Sequence, residues 1–256
     1  MIAWNQLGFK TLFIKEVRRY LNVWKQTVVS PLVTTSLYFL VFGVALGSRL
    51  KTVNGVPYIE FVLPGLMMLS MISTSFMNTS SSLFQSKTNG TLIDLLVAPI
   101  GTREILTAYV AAALTRAFIV GALVYAVSVC FAGARVEHPF WVLFFSVVVC
   151  ASFAFLGLLT AVWARKYDHL SAIPSFVLTP MTFLGGVFYS VSMLPEPWST
   201  VSHLNPILYM VNGLRYGLLG VSDVSVGASA LFVTVLMVVL GAITARVLNT
   251  GWGLRD

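Results

Sequence analysis

Charge is scarce in this sequence. Only 10% of the 256 residues are Asp, Glu, Lys or Arg, whereas a soluble domain carries about 25%. The few charges are confined to short stretches. Apolar runs of roughly 20 residues, the length at which an α-helix spans the hydrocarbon of a bilayer, separate those stretches. With 57% hydrophobic residues and a mean hydropathy of +0.88, the sequence predicts a polytopic membrane protein.

Cysteine and catalytic motifs are equally sparse. The two cysteines, Cys130 and Cys150, lie in apolar runs without the spacing of metal ligands, and we interpret them as small hydrophobic residues. No G-x-S-x-G, H-E-x-x-H or paired helical carboxylates occur, so no hydrolase centre is predicted. The phosphate-binding sequence G-x-x-x-x-G-K-[ST] is also missing. An ATP-driven machine built on this chain therefore needs a separate ATPase.

The long apolar runs have no ionisable residue at their centres. Ion-coupled carriers and proton relays usually place an ionisable side chain there, so no proton or sodium site is predicted. The three histidines, His138, His169 and His203, fall in loops or at the ends of the runs. The net charge of +7 could suggest a nucleic-acid partner, but basic residues in a membrane protein primarily set the orientation of its helices. We therefore expect no nucleic-acid partner.

Six of the apolar runs predict transmembrane helices, and alternation of the loops sets their orientation. Eleven Lys and Arg residues fall on one side and four on the other, which places both termini in the cytoplasm by the positive-inside rule. Pro31 is expected in the first turn of the first span. The predicted spans cover residues 30–48, 59–82, 105–131, 140–163, 171–189 and 228–248. The cytoplasmic group is Lys10, Lys15, Arg18, Arg19, Lys25, Lys87, Arg103, Arg165, Lys166, Arg246 and Arg255, and the other group is Arg49, Lys51, Arg135 and Arg215.

Residues 5–25 predict an amphipathic helix that lies in the membrane interface. Aromatic and aliphatic side chains recur there at helical spacing, and basic side chains lie largely opposite them. Glu16 falls on the apolar face, where its carboxylate either extends to the rim or contacts a partner at the cytoplasmic surface. Arg116, inside the third run, either extends to the headgroups or forms a buried pair with Glu16 or Asp94.

The stretch GTLIDLLVAP, residues 90–99, is too short to cross a bilayer and too apolar for a solvated loop. As a helix it has Asp94 in its first turn, where a carboxylate suits the helix dipole, and Pro99 beyond its end. One face of this helix carries Leu92, Leu95 and Leu96. That face must be buried, either against the protein's own amphipathic helix and the headgroups or in the cleft of a cytoplasmic motor.

Four blocks of the sequence together resemble the ABC-2-type exporter permeases, and in particular their small, six-span, YadH-like branch. The most informative is KTNGTLIDLLVAPIGTREILTAYV, residues 87–110, because permeases of this family carry a GT-hydrophobic-x-x-LL-V-x-P block before the third span. The others are VLPGLMMLSMISTSF at 62–76, FLGGVFYSVSMLPEPW at 183–198 and LNPILYMVNGLRYG at 204–217. Permeases related to this branch export polysaccharides, nodulation lipo-oligosaccharides and some drugs.

The resemblance implies an all-α fold with an N-terminal interface helix, six transmembrane helices, a cytoplasmic coupling helix and re-entrant helices before the last span. It also implies a homodimer in the bacterial inner membrane, surrounded by lipid, that binds two separate ATP-binding cassette ATPases. Those ATPases hold the ATP and Mg²⁺. The coupling region, 87–101, together with the interface helix, is expected to contact them through Gly90, Thr91, Leu92, Asp94, Leu95, Leu96, Pro99 and Glu16.

Residues 190–220 contain three prolines, which exclude one continuous helix, yet the segment is too apolar for a free loop. Short helices that re-enter the outer leaflet would satisfy their backbone internally. By resemblance they form an outer gate, and a lid without a gating role is the alternative. The residues expected to hold this turn are Pro195, Asn205, Pro206, Tyr209 and Arg215.

Hydroxyl and aromatic side chains on three spans are the candidates for a transport path. The polar face of the second span either packs in a dimer or lines the path. For the aromatic residues of the first and fifth spans there are three alternatives: they line the path, they face lipid, or they pack in the core. Pro174 and Pro180 are expected to kink the fifth span, and Gly185–Gly186 to weaken it further. The path candidates are Tyr38, Phe42, Ser73, Asn78, Phe176, Phe183 and Phe188.

These features together predict the permease subunit of an ATP-driven exporter, with no catalytic residue of its own. Its substrate is an unidentified amphipathic, lipid-like, saccharide or drug-like molecule. A passive channel or an ion-coupled carrier is the first alternative, although a midplane charge or a filter motif would be expected for it. A membrane scaffold that recruits a cytoplasmic partner is the second.

Overall fold

The regular secondary structure of the described residues is helical apart from one small hairpin. The computed structural model describes residues 4–46, 52–133 and 135–253. The α-helices of this part of the chain are α1 (Gln6–Asn22), α2 (Trp24–Tyr38), α3 (Tyr58–Thr88), α4 (Leu92–Val97), α5 (Thr102–Ala132), α6 (Pro139–Trp163), α7 (Tyr167–Ile173), α8 (Thr179–Leu184), α9 (Trp198–His203), α10 (Pro206–Leu219) and α11 (Val226–Thr250). The hairpin pairs β1 (Thr52–Val53) with β2 (Val56–Pro57) in antiparallel register.

Four helices within these ranges are long and apolar enough to cross a membrane: α3, α5, α6 and α11. Helix α3 lies at the centre of the molecule and packs against α5, α6 and α10. Its side chains are buried nearly all round, from Tyr58 to Ser86, as expected of a helix enclosed by others. The predicted spans 59–82, 105–131, 140–163 and 228–248 therefore lie within long helices, each of which is longer than the predicted span.

The close contact between α3 and α6 depends on Gly157, which has no side chain. A Cβ atom on Gly157 would lie 2.2 Å from the Thr79 hydroxyl oxygen and 2.5 Å from the Phe76 carbonyl oxygen. The Thr79 hydroxyl donates a hydrogen bond of 2.9 Å across this contact to the carbonyl of Ala154. Small residues allow two membrane helices to approach closely, and here they bring α6 onto the backbone of α3.

The first predicted span begins earlier than expected. Helix α2 starts at Trp24, so Pro31 lies inside the helix and not in its first turn. A proline inside a membrane helix is tolerated where neighbouring groups satisfy the freed backbone. A π-helical segment, Phe39–Leu46, continues α2, and residues 47–48 of the predicted span lie outside the described part. The predicted interface helix, 5–25, corresponds to α1, which ends at Asn22 with Val23 as its C-cap.

The predicted fifth span, 171–189, is not one regular helix, and its limits are corrected. The helical segment begins at Tyr167 with α7, passes through a π-helical turn at Pro174–Leu178 and ends with α8 at Leu184. The irregularity at Pro174 confirms the predicted interruption. The early end follows from Gly186, whose φ of 68° turns the chain out of the helix.

The segment after α8 consists of short helices, as its prolines predict. A 3₁₀ turn at Val191–Met193 is followed by α9 and α10. Helix α10 begins with Pro206 in its first turn and ends at Gly220 in the left-handed conformation. Its buried face packs against α3, α6 and α11, so this segment is part of the folded body.

Candidate coupling surface and transport cavity

Helix α4 is a short helix that connects the two long helices α3 and α5. Gly90, with a φ of 76°, reverses the chain directly after α3 in a conformation that favours glycine. Thr91 precedes the helix, and its hydroxyl donates to the carbonyl of Ser86. The helix ends at Ala98, whose backbone is extended, as is usual before a residue such as Pro99. A short helix therefore lies between Thr91 and Ala98, within the segment predicted to be helical.

The two faces of α4 differ from the expectation. Leu92 is 3% exposed and belongs to a buried cluster that includes Leu12 of α1 and Phe84 of α3. Leu95 packs partly against the same cluster, and the side chain of Leu96 lies outside the described part. The outward face is formed by Ile93, 65% exposed, and Val97, 79% exposed, with the exposed Asp94 beside them.

This arrangement corrects the role expected for Leu92. A side chain buried in its own molecule anchors α4 to the helical body and is not available to a partner. We define the coupling surface as Ile93, Asp94 and Val97, an apolar surface with one carboxylate. Its two aliphatic side chains remain unburied within the described structure.

Glu16 is neither at the membrane rim nor at a partner-facing surface, and both expectations are corrected. Its side chain is fully buried, and one carboxylate oxygen lies 3.1 Å from Nε of Arg19. The same oxygen accepts a 2.6 Å hydrogen bond from the Ser82 hydroxyl. A carboxylate on the apolar face of α1 is stable there because a cation and a hydroxyl replace its water. The hydrogen bond from Ser82 joins α1 to α3.

Asn78, one of the predicted path residues, is fully buried and extends this network. Arg19 donates to the backbone carbonyl of Asn78 at 2.8 Å and to its side-chain oxygen at 3.1 Å. Arg116 donates to the same side-chain oxygen at 3.3 Å. Arg116 therefore pairs with an amide and not with Glu16 or Asp94. The polar face of the second span is in this region an internal contact between α1, α3 and α5.

The residues predicted to hold the turn before the last span make several hydrogen bonds there. The Asn205 side chain accepts from the N–H of Ile207 at 3.0 Å and caps α10, while its amide donates to the carbonyl of Met181 on α8. The Tyr209 hydroxyl donates to the carbonyl of His203 at 2.8 Å. The carbonyl of Pro195 accepts the first hydrogen bond of α9.

Arg215 is the central residue of a group of polar contacts near the start of α3. It is completely buried, and its guanidinium donates to the carbonyl of Gly186 at 2.6 Å. It lies 3.4 Å from the carboxylate of Asp223 and 3.8 Å above the ring of Phe61. Asp223 in turn accepts from the Ser190 hydroxyl at 2.6 Å. These contacts join the start of α3, the loop after α8 and the loop after α10.

Most of the predicted path residues meet at one cavity. A cavity of about 290 Å³ lies between α2, α3 and α8 and is lined by Tyr38, Ser73, Phe183 and Phe188. Phe42 stacks on Phe188 with ring centroids 4.5 Å apart. The remaining lining is rich in hydroxyl groups and includes Ser30, Thr34, Thr35, Ser70, Thr74, Thr179 and Thr182. Phe176 is 81% exposed and does not line this cavity.

Comparison with known proteins places this architecture in a family. The sequence pattern of the family described as "ABC-2 type transporter" matches residues 8–219. The chain belongs to the ABC-2 type transporter family. It is 40% identical over 250 residues to the inner membrane transport permease YadH of Escherichia coli K12, covering 98% of each chain. It is 27% identical over 228 residues to nodulation protein J of Sinorhizobium fredii, covering 86% of this chain and 85% of that one.

The chain is thus a membrane transport permease of the bacterial inner membrane, and members of the ABC-2 family generally work with ATP-binding cassette subunits. Two features of this permease's sites are not evident in the sequence. Asp223 lies in a short polar loop that carries no motif, although it is the acidic residue nearest in sequence to Arg215. Ile93 and Val97 cannot be identified from the sequence as the exposed face of α4, because the neighbouring Leu92 and Leu96 have the same four-residue spacing.

Proposed function

We propose that this permease is the transmembrane subunit of an ATP-driven exporter and that α4 transmits the movement of a separate ATPase to the transmembrane helices. The observation that carries this proposal is the two-faced character of α4. Leu92 anchors it to the helical body, while Ile93 and Val97 remain exposed. An exposed apolar patch rimmed by polar groups is typical of an interaction site.

The position of α4 in the chain allows it to transmit movement to several helices. It lies between α3 and α5, both long enough to cross the membrane. At its far end, the Asn5 side-chain amide donates to the carbonyl of Pro99 at 2.9 Å, which joins α4 to the start of α1. A force on the coupling surface therefore reaches α1, α3 and α5 together.

We propose that two copies of the chain form one path and that each binds one ATPase subunit, with ATP and Mg²⁺ held by the ATPases. Both termini and α4 lie in the cytoplasm in this proposal, because positive charge is concentrated on their side of the predicted spans. ATP binding draws the ATPases together, and the coupling helices move the dimer from an inward-open to an outward-open state.

The cavity between α2, α3 and α8 forms part of the path in this proposal. Its aromatic rings and its many hydroxyl groups suit a substrate that has both apolar and hydrogen-bonding parts. Lipid-like, saccharide and drug-like molecules all meet this description. The outer end, held by Arg215 and Asn205, serves as the gate that closes the path.

The test is a pull-down of tagged protein from its native membrane in mild detergent, with mass spectrometry of the retained proteins. The wild-type chain should retain an ATPase that carries a phosphate-binding loop, in roughly equal amount. Val97→Asp should lose that ATPase and the ATP turnover of the complex, because it places a second carboxylate on the coupling surface. Leu204→Asp is the matched control, since Leu204 is also 79% exposed but lies beside the outer turn.

Two results would contradict the proposal. One is a wild-type protein that retains no ATPase even after crosslinking in the membrane, which would favour the passive channel or the ion-coupled carrier. The other is a Val97→Asp protein that retains the ATPase as well as the wild type does. A retained partner without ATPase activity would favour the scaffold.

A further inference from the structure

Two cavities meet on the outer surface of α5, at the end of the molecule that carries α4. One, of about 660 Å³, lies between the start of α5 and the end of α11 and includes Thr102 and Asn249. The other, of about 460 Å³, continues from it along α5. Trp4, Arg103 and Leu106 line both cavities, so the two form one continuous groove.

The two halves of this groove differ in chemistry. The half along α5 is lined almost entirely by carbon, through side chains such as Leu106, Val110, Leu114 and Phe155. From Leu106 to Leu114 this wall is about 12 Å long at 1.5 Å per residue. Gly241 of α11 leaves room beside it, since a Cβ there would lie 3.2 Å from the Phe155 ring. The half at the helix ends is polar, and the Thr102 hydroxyl donates to the Asn249 side chain there at 2.6 Å.

Charge at the junction favours an anion. Arg103 is exposed and lines both halves of the groove. Glu104 also lines the polar half, but its side chain is only 4% exposed and one carboxylate oxygen accepts the backbone N–H of Asn5 at 2.9 Å, so Arg103 is the more accessible of the two charges. Trp4 lies at the same level, and tryptophan is typical of the headgroup region of a membrane.

We propose that this groove binds one anionic phospholipid, with the phosphate at Arg103 and an acyl chain along α5 against Phe155 and Gly241. A charged headgroup beside an acyl chain matches a polar cavity that continues into an apolar one. The site lies on a different side of α5 from the buried network of Arg116. Binding of a phospholipid in this groove does not require the ATPase partner.

The experiment is native mass spectrometry of the full-length protein, purified from nanodiscs of equal phosphatidylglycerol and phosphatidylcholine. The wild-type chain should retain phosphatidylglycerol in preference to phosphatidylcholine. Arg103→Gln should lower retained phosphatidylglycerol about fivefold, the effect of one basic residue at a membrane surface. Ala111→Phe, which fills the apolar half, should lower it without any change of charge.

Matched controls separate a site from general attraction. Arg246→Gln removes an exposed cation at the same end of α11, outside both cavities, and Ala122→Phe adds the same ring at an exposed position farther along α5. Both should retain as much phosphatidylglycerol as the wild type. Equal losses in Arg103→Gln and Arg246→Gln would overturn the proposal, as would equal retention of the two lipids. A disulfide-linked dimer of Ala111→Cys in a Cys130→Ser chain would also overturn it, because a second copy would then cover the groove.

Discussion

Arg215 and Asp223 form a buried ion pair, 3.4 Å between Nη1 and Oδ2, in a protein with almost no other buried charge pairs in the described ranges. The side chain of Arg215 is completely buried and that of Asp223 is 4% exposed. A second ion pair, between the buried Glu16 and the partly exposed Arg19 of α1, contacts the opposite end of α3 through Ser82. The central helix is therefore held at both ends by contacts with charged side chains.

The first prediction concerns the Arg215–Asp223 pair. Asp223→Ala should lower the free energy of unfolding by about 3–5 kcal/mol, because it leaves a buried guanidinium without its counter-charge. The measurement is thermal unfolding of the purified protein in detergent. Asp168→Ala is the control, since Asp168 is an exposed carboxylate and its loss should change stability by less than about 0.5 kcal/mol. Equal stability of the two variants would contradict the role of the pair.

The second prediction concerns the docking of α1. Glu16→Ala removes the carboxylate that joins Arg19 and Ser82, so α1 should separate from α3 more easily. Amide hydrogen exchange of Gln6–Asn22 should become about 100-fold faster, which corresponds to about 3 kcal/mol of lost protection. Exchange in α6 should stay unchanged. Glu137→Ala, at an exposed carboxylate, is the control, and an unchanged α1 in Glu16→Ala would refute the prediction.

The third prediction concerns the approach of α6 to α3. Gly157→Ala places a methyl group within 2.2 Å of the Thr79 hydroxyl oxygen and within 2.5 Å of a backbone oxygen, so the helices must separate. We expect a loss of about 1–3 kcal/mol in unfolding experiments, the usual cost of overpacking. Gly227→Ala is the matched control, because nothing lies within 4 Å of the added Cβ. A Gly157→Ala protein as stable as Gly227→Ala would show that this contact is loose.

The fourth prediction concerns access to the cavity. In a Cys130→Ser chain, Ser73→Cys should react with a small thiol reagent, because Ser73 lines the cavity and is partly exposed. Ser75→Cys, two residues along the same helix, should stay unlabelled, since Ser75 is completely buried. The measurement is the rate of modification in native membranes. Labelling of Ser75→Cys at the rate of Ser73→Cys would contradict the packing around α3.

Much of the fold is visible in the sequence because hydropathy reports which part of a helix lies in hydrocarbon. It does not report where the helix ends. Hydropathy predicts an end at residue 82 for the second span, but α3 continues to Thr88, since its backbone hydrogen bonds run on through the polar residues after Ser80. The same reasoning explains why α2 begins before Pro31. A helical backbone does not stop at the membrane surface.

The site was less predictable, and α4 shows why. Five of the six residues in LIDLLV are apolar, so periodicity alone defines an apolar helix but not its inward face. The cluster around Phe84 and Leu12, far apart in the chain, decides that Leu92 turns inward. Likewise, the burial of Glu16 depends on Ser82, which is 66 residues away. Such contacts are set by tertiary packing and leave no local signal.

The two π-helical segments, Phe39–Leu46 and Pro174–Leu178, both adjoin the cavity. A π-helical turn holds one more residue than an α-helical turn, so its loss shifts the register of the next helical residues by one position. One position is about 100° of rotation around the helix axis. Phe183, five residues beyond the second segment, would swing from the cavity wall to another face of the helix. Conversion of this turn to a regular α-helix would therefore change the lining of the cavity by rotation of α8.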